Sequence, residues 1–169
     1  MKAGADGFVA DACVVAAIRR ARVPVAEFLG DIDVVPTLIV IDEVLFGLPR
    51  DHPIYRENVA VLAQMGPPIR NRPNVVFRAT DLRLRYARHH GPPQERDSLI
   101  AAAALETGRA VITANVADFH YYEGLGLVDS GGHGARDGAL MAQRAIEAGG
   151  ISRRACCAAI RADRAQGQK

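Results

Sequence analysis

The sequence has few cysteines, little net charge and no long apolar run, and each shortage removes a class of protein. Cys13, Cys156 and Cys157 form no CxxC or other zinc-type spacing, and an odd count with an adjacent pair does not describe a disulfide framework. No apolar run approaches the roughly 18 residues that a membrane span needs. The N-terminal MKAGADGF lacks a sustained apolar core ending in a cleavage site, so no signal peptide is expected. A reducing cytoplasm is the expected location. A formal net charge of +2 does not by itself identify a nucleic-acid binder. Internal repeats and low-complexity tracts are absent as well.

What remains is ordinary globular material: 169 residues, 49% hydrophobic and 24% charged. That length buries about two-thirds of the unfolded surface in a single domain. The charge is unevenly placed. From Gly131 onward there are seven Lys/Arg against three Asp/Glu, leaving fourteen (21 − 7) against sixteen (19 − 3) before it. Gly131-Gly132-His133-Gly134 reads as a linker, so residues 1–130 form the expected domain and 131–169 a basic helical tail. Two short helices, DGALMAQRAIEAGG and SRRACCAAIRADRAQ, are expected in that tail.

Along the front body, strands and helices alternate. GFVADA (Gly7–Ala12) reads as a short buried strand, followed by a helix through VVAAIRR, a helical turn at VPVAEFLGD and a strand at Asp33–Val35. Thr37 is the expected N-cap of a helix through LIVIDEVLFGL, which places Leu38, Ile41, Leu45 and Leu48 on one face; LIVI alone also fits a strand. A further helix runs from about Ile54 to Met65, ended by Gly66-Pro67-Pro68. Val75–Phe77 reads as a strand, and Thr80-Asp81 opens the helix LRLRYARHH. Glu95 to Glu106 forms the next helix, Ala110–Thr113 the next strand, and Leu125–Val128 a candidate last one. Such β–α alternation argues for an α/β fold with a mostly parallel sheet covered by helices. Ligands of such sheets sit beyond the carboxyl ends of the strands, where Asp11 and the loop carrying Asn115 and Asp118 fall.

Four carboxylates carry the chemical expectation. Asp11 ends the first strand, Glu43 interrupts an apolar helix, Asp97 opens a helix made largely of alanine and leucine, and Asp118 closes NVADF. Taking an isolated carboxylate out of water is costly, so such acids need a cation, a cap or a metal. Singly, each has a structural explanation; Asp97, for one, is a helix-terminus anion favoured by the macrodipole. Together they differ, because three of the four fall at one end of the expected sheet and Arg96 is the one basic residue beside them in sequence. Crowded acids raise one another's pKa unless a divalent cation neutralises them. Oxygen donors without neighbouring cysteine pairs or paired histidines point to Mg²⁺ or Mn²⁺ rather than zinc.

The segments DACVVAAI, TLIVIDEVLFGL and RDSLIAAAALETGRAVITANVADF, in that order, resemble the PIN-domain family, in particular the VapC-type toxins of toxin–antitoxin pairs. The third is the most specific, with an Asp opening an Ala-rich helix, a glycine, an apolar strand and then T-x-N-x-x-D-F. The resemblance covers about residues 7 to 128. It implies a three-layer α/β/α sandwich around a mostly parallel sheet, here with a C-terminal helical extension. It implies Mg²⁺- or Mn²⁺-dependent endoribonuclease activity, an antitoxin partner and frequent homodimers. It makes Asp11, Glu43, Asp97 and Asp118 the acidic metal cluster, with Asn115 and Thr113 as supporting hydrogen-bond partners. Ala12 departs from the small hydroxyl residue common after the first Asp, and the tail exceeds the usual domain length.

RNA needs positive charge at the rim of such a site, and Arg83, Arg85 and Arg88, with Arg153 and Arg154 of the tail, are the candidates. A solvated helix face explains the first three equally well. Tyr121 and Tyr122 suit packing better than base stacking. Two other classes remain open: a catalytically inactive PIN-like RNA- or protein-binding module, and a phosphatase or receiver-type phosphoacceptor centred on Asp11. The last expects a second aspartate two residues on, where Cys13 stands.

Overall fold

A computed structural model describes residues 7–30, 32–90 and 95–130. Four short strands form one sheet in the order β2-β1-β3-β4: β1 (Phe8–Ala10), β2 (Val34–Val35), β3 (Ala110–Thr113) and β4 (Leu127–Asp129). Every pairing is parallel, with Phe8 beside Val34 on one flank and beside Ala110 on the other, and Val111 beside Leu127. Successive side chains of a strand point to opposite faces. Phe8, Val9 and Ala10 are all fully buried, and so are Val111 and Ile112, so both faces of the sheet are covered. The cover is helical. Helix α1 (Ala12–Ala21) packs against β3 and carries α3 (Leu38–Leu45) and α4 (Pro53–Leu62), while α6 (Glu95–Glu106) packs on β1 and β3 and carries α5 (Pro73–His90). A single turn, α2 (Val25–Leu29), links α1 to β2. Among the described residues, no helix is long and apolar enough to cross a membrane.

Local chemistry explains how α6 comes close to the sheet. Ala101, Ala102, Ala103 and Ala104 are fully buried, and side chains this small let the helix backbone lie near β1 and β3. At the opposite end of the strands, Gly7 adopts a positive φ of 128° where a Cβ would sit 2.3 Å from Arg109 Nη1 and 2.7 Å from Asp33 O. Only glycine fits that crossing of β1 with the Arg109–Asp33 ion pair, whose N···O distance is 2.7 Å.

One sequence expectation changes, and the core-facing side of α3 becomes visible. Val75–Phe77 is not a strand but the first turn of α5, which starts at Pro73. Proline is well suited to an opening turn, where its missing N–H costs nothing. Val75, Ala79 and Leu82 are buried at spacings of four and three, whereas Val76 and Phe77 are exposed. That is the helical period overriding a local run of strand-forming residues. In α3 the buried position is Val40, with Ile39 and Val44 packed against the core, and Leu38 is 42% exposed. The core-facing side of α3 is thus Ile39, Val40 and Val44 rather than the Leu38–Ile41–Leu45 stripe. Thr37 caps α3 as expected: its Oγ1 accepts from Val40 N at 3.2 Å. The expected tail helices, with Arg153 and Arg154, lie outside the described residues.

Candidate active site

Parallel pairing brings the carboxyl ends of β1 and β3 side by side, and the register Ala10–Ile112 continues as Asp11 N donates to Ile112 O at 3.0 Å. Asp11 is the N-cap of α1, and its Oδ1 accepts from Ala12 N at 2.7 Å. Its other oxygen, Oδ2, accepts from Thr113 Oγ1 at 2.7 Å and from Cys13 Sγ at 3.2 Å. The carboxylate is buried, with 8% of the residue exposed, and three donors compensate for the water it has lost.

The loop after β3 is tied into the same network. Thr113 Oγ1 accepts from Asn115 N at 2.9 Å, and Ala114 N donates to Cys13 Sγ at 3.2 Å. Asn115 precedes a single 3-10 turn (Val116–Asp118), and its side-chain amide donates to Asp118 Oδ2. Thus Thr113 reaches Asp11 while Asn115 reaches Asp118, and the backbone between them is short.

Asp97 stands in the first turn of α6 and Glu43 near the end of α3, two helices that touch each other. The electrostatics join all four acids. Burial raises the Asp97 carboxyl to about 6, and the charges of Asp118, Asp11 and Glu43, in that order, push the same way. Glu43 is raised as well, by desolvation first and then by Asp11, with Arg96 opposing and Asp42 adding. Asp42 itself is exposed, 3.9 Å from the Arg96 guanidinium.

The four sequence-picked acids therefore share one field at the carboxyl end of the sheet. They do not close on a point. Among the described residues, no three His, Cys, Asp or Glu side chains stand in a ligating arrangement. The hydrogen bonds show why for two of them: Asp11 is held by Ala12, Thr113 and Cys13, and Asp118 by Asn115. The donors still suit a hard divalent cation, because they are all oxygen and carry repelling negative charge. Mg²⁺ keeps several waters and needs only one or two direct carboxylates, so a wider ring of acids fits it through water.

Of the basic candidates, Arg83 is partly exposed and stands 3.8 Å from Glu95, and Arg85 is exposed. The Arg88 side chain lies outside the described residues. Tyr122 is buried, whereas Tyr121 is only partly so; both pack with Tyr86 at ring-centroid distances of 5.6 Å. Tyr86 Oη also accepts from Glu123 N at 2.8 Å, which secures the turn after Asp118. Besides Thr113 and Asn115, two non-acidic side chains that the sequence reading gave no role bear on the cluster, Cys13 and Arg96. Cys13 had a visible signal, since it lies two residues after Asp11 in the opening turn of α1. Burial and the neighbouring Asp11 charge raise its thiol pKa, which keeps the S–H proton in place.

No protein-family model matches the sequence, and no curated protein matches it significantly. Solved structures do. A chain of the DNA-bound VapBC from Salmonella typhimurium superposes with a TM-score of 0.59 at 17% identity, covering 73% of this chain and 97% of that one. For VapBC2 from Rickettsia felis bound to a promoter DNA fragment the values are 0.60, 15%, 72% and 97%. For VapBC-1 from nontypeable Haemophilus influenzae they are 0.60, 18%, 74% and 98%. The chain therefore has a PIN-like, VapC-type α/β fold built on a parallel four-stranded sheet. At these identities the likeness is one of fold.

Proposed function

We propose that this chain is a Mg²⁺- or Mn²⁺-dependent endoribonuclease and the toxin of a type II toxin–antitoxin pair. The observation that carries the proposal is the placement of Asp11 and Asp118 at the adjoining ends of β1 and β3, with Asp97 and Glu43 on two touching helices near enough for their charges to act on one another. A fold that gathers four acids where a parallel sheet binds its ligand, with Arg96 the one cation among the described residues that acts on Asp97 or Glu43, suits a divalent cation. The shared fold with VapBC complexes supports the toxin assignment and an antitoxin partner; a homodimer and a cytoplasmic location belong to the same proposal.

In this mechanism Asp11, Asp97 and Asp118 would hold the ion directly or through water, and Glu43 would be a further ligand or orient the attacking water. When bound, such an ion would supply an activated water and neutralise charge on the scissile phosphate. Thr113 and Asn115 fix the carboxylates of Asp11 and Asp118. Asp97 must shed its proton to serve, so activity should rise between pH 5 and 7. Arg83 and Arg85 on α5 approach the RNA backbone, a contact that weakens as salt rises.

The test is incubation of pooled cellular RNA with the full chain in Mg²⁺, Mn²⁺ or EDTA. Discrete products with either metal and none in EDTA are expected. That no three ligands converge among the described residues favours one competitor, an inactive PIN-like RNA- or protein-binding module. RNA left intact under all three conditions would establish that competitor instead.

A further inference from the structure

We infer that Cys13 is a positioning residue of this site: its thiol locks the Asp11 carboxylate to the loop that carries Asn115 and Asp118. The inference rests on the metal-dependent reading above and assigns a role to a side chain outside the acidic set.

The geometry is specific. Cys13 Sγ donates to Asp11 Oδ2 at 3.2 Å and accepts from Ala114 N at 3.2 Å, with Thr113 Oγ1 3.6 Å away. One atom thereby joins the first turn of α1 to the backbone just beyond β3, across 101 residues of sequence. A carboxylate accepts at about four positions. Thr113 and Cys13 occupy Oδ2, and Ala12 N takes one position on Oδ1. The accepting capacity left to Asp11 is therefore concentrated on Oδ1. Without the thiol, Oδ2 keeps Thr113 as its one donor, and the carboxylate is held less firmly against rotation about its Cβ–Cγ bond. Ala114 is exposed, so its N–H can turn to water and the loop can drift from α1.

Serine offers the same pair of roles as the thiol, one donor and an acceptor, whereas alanine offers neither. Side chains that orient metal ligands typically cost 10–100-fold in metal affinity when lost. A thiol is a weak donor, so the lower end applies here. Mn²⁺ is titrated calorimetrically into the full-length wild type, Cys13→Ala, Cys13→Ser and Asp11→Asn, with melting curves recorded in EDTA. The expected result is about a 10-fold weaker Mn²⁺ Kd for Cys13→Ala, return to within about 3-fold of wild type for Cys13→Ser, and nearly unchanged melting for both. If Cys13→Ala is unfolded, Cys13→Val serves, because it fills the thiol's space without donating. Wild-type affinity in the non-donating variant, with loss in Asp11→Asn, overturns the role of Cys13 and leaves the metal site standing. Weak binding that serine does not restore also overturns it, since the loss is then one of packing. Absence of Mn²⁺ binding by the wild type removes both this role and the nuclease reading.

Discussion

Replacing Asp97 by asparagine should slow metal-dependent RNA cleavage by at least about 100-fold, which corresponds to roughly 2.7 kcal/mol of lost transition-state stabilisation. Asparagine keeps the size of the side chain and an oxygen at the first turn of α6, so only the negative charge is lost. That charge lies in the field of Asp118, Asp11 and Glu43. An ion placed among the four loses one of its anionic partners, and the phosphate approaching it meets a less firmly held cation. Single-turnover rates on an RNA that the wild type cuts, at saturating Mn²⁺, measure the effect. A rate within about 3-fold of wild type would remove Asp97 from the chemistry and leave it a helix-terminus anion.

The same substitution should raise stability when no metal is present. Asp97 has a folded pKa of about 6 against an ordinary value of 3.8. A carboxyl raised in this way favours its protonated form in the folded state. Its penalty is absent below about pH 4, grows between about pH 4 and 6, and is complete above that range. The full shift is worth roughly 3 kcal/mol, but the side chain is only half-buried, and solvent screening reduces this to about 1 kcal/mol. At pH 7.5 in EDTA, Asp97→Asn should therefore melt roughly 2–4 °C above wild type. At pH 4 the gap should close. Added Mn²⁺ should stabilise the wild type and do much less for the variant, as expected when a ligand binds only the native state. A variant that melts lower than wild type in EDTA would show that the charge at Asp97 supports the helix rather than awaiting a cation.

These opposite effects show why the acids were legible in the sequence. A carboxylate that interrupts an apolar strand end or an alanine-rich helix has a cost that the surrounding residues do not offset, and that mismatch is visible without coordinates. The alternation of strands and helices was legible for a related reason, since strands covered on both faces read as short apolar runs. Val75–Phe77 misled because three strand-forming residues weigh heavily in a short window, whereas Val75, Ala79 and Leu82 mark a helix only over two turns. Which face of α3 meets the core was not legible because the helix is apolar almost all round, with Leu38, Ile39, Val40, Ile41, Val44 and Leu45 along eight residues. Periodicity cannot choose a face when nearly every face is hydrophobic. Cys13 escaped because its role depends on contacts with Thr113 and Ala114, which only the β1–β3 register brings within reach.

The central claim is that Asp11, Glu43, Asp97 and Asp118 together serve a divalent ion. Calorimetric titration of Mn²⁺ into the metal-free full chain at pH 6, in two buffers of different ionisation enthalpy, tests it most directly. The expected result is saturable binding accompanied by release of about half a proton or more. Asp97, at about 6, is half protonated at that pH and must ionise to accept the metal, and Glu43 shifts in the same sense. An absence of saturable binding would contradict the claim and return each of the four acids to an ordinary structural role.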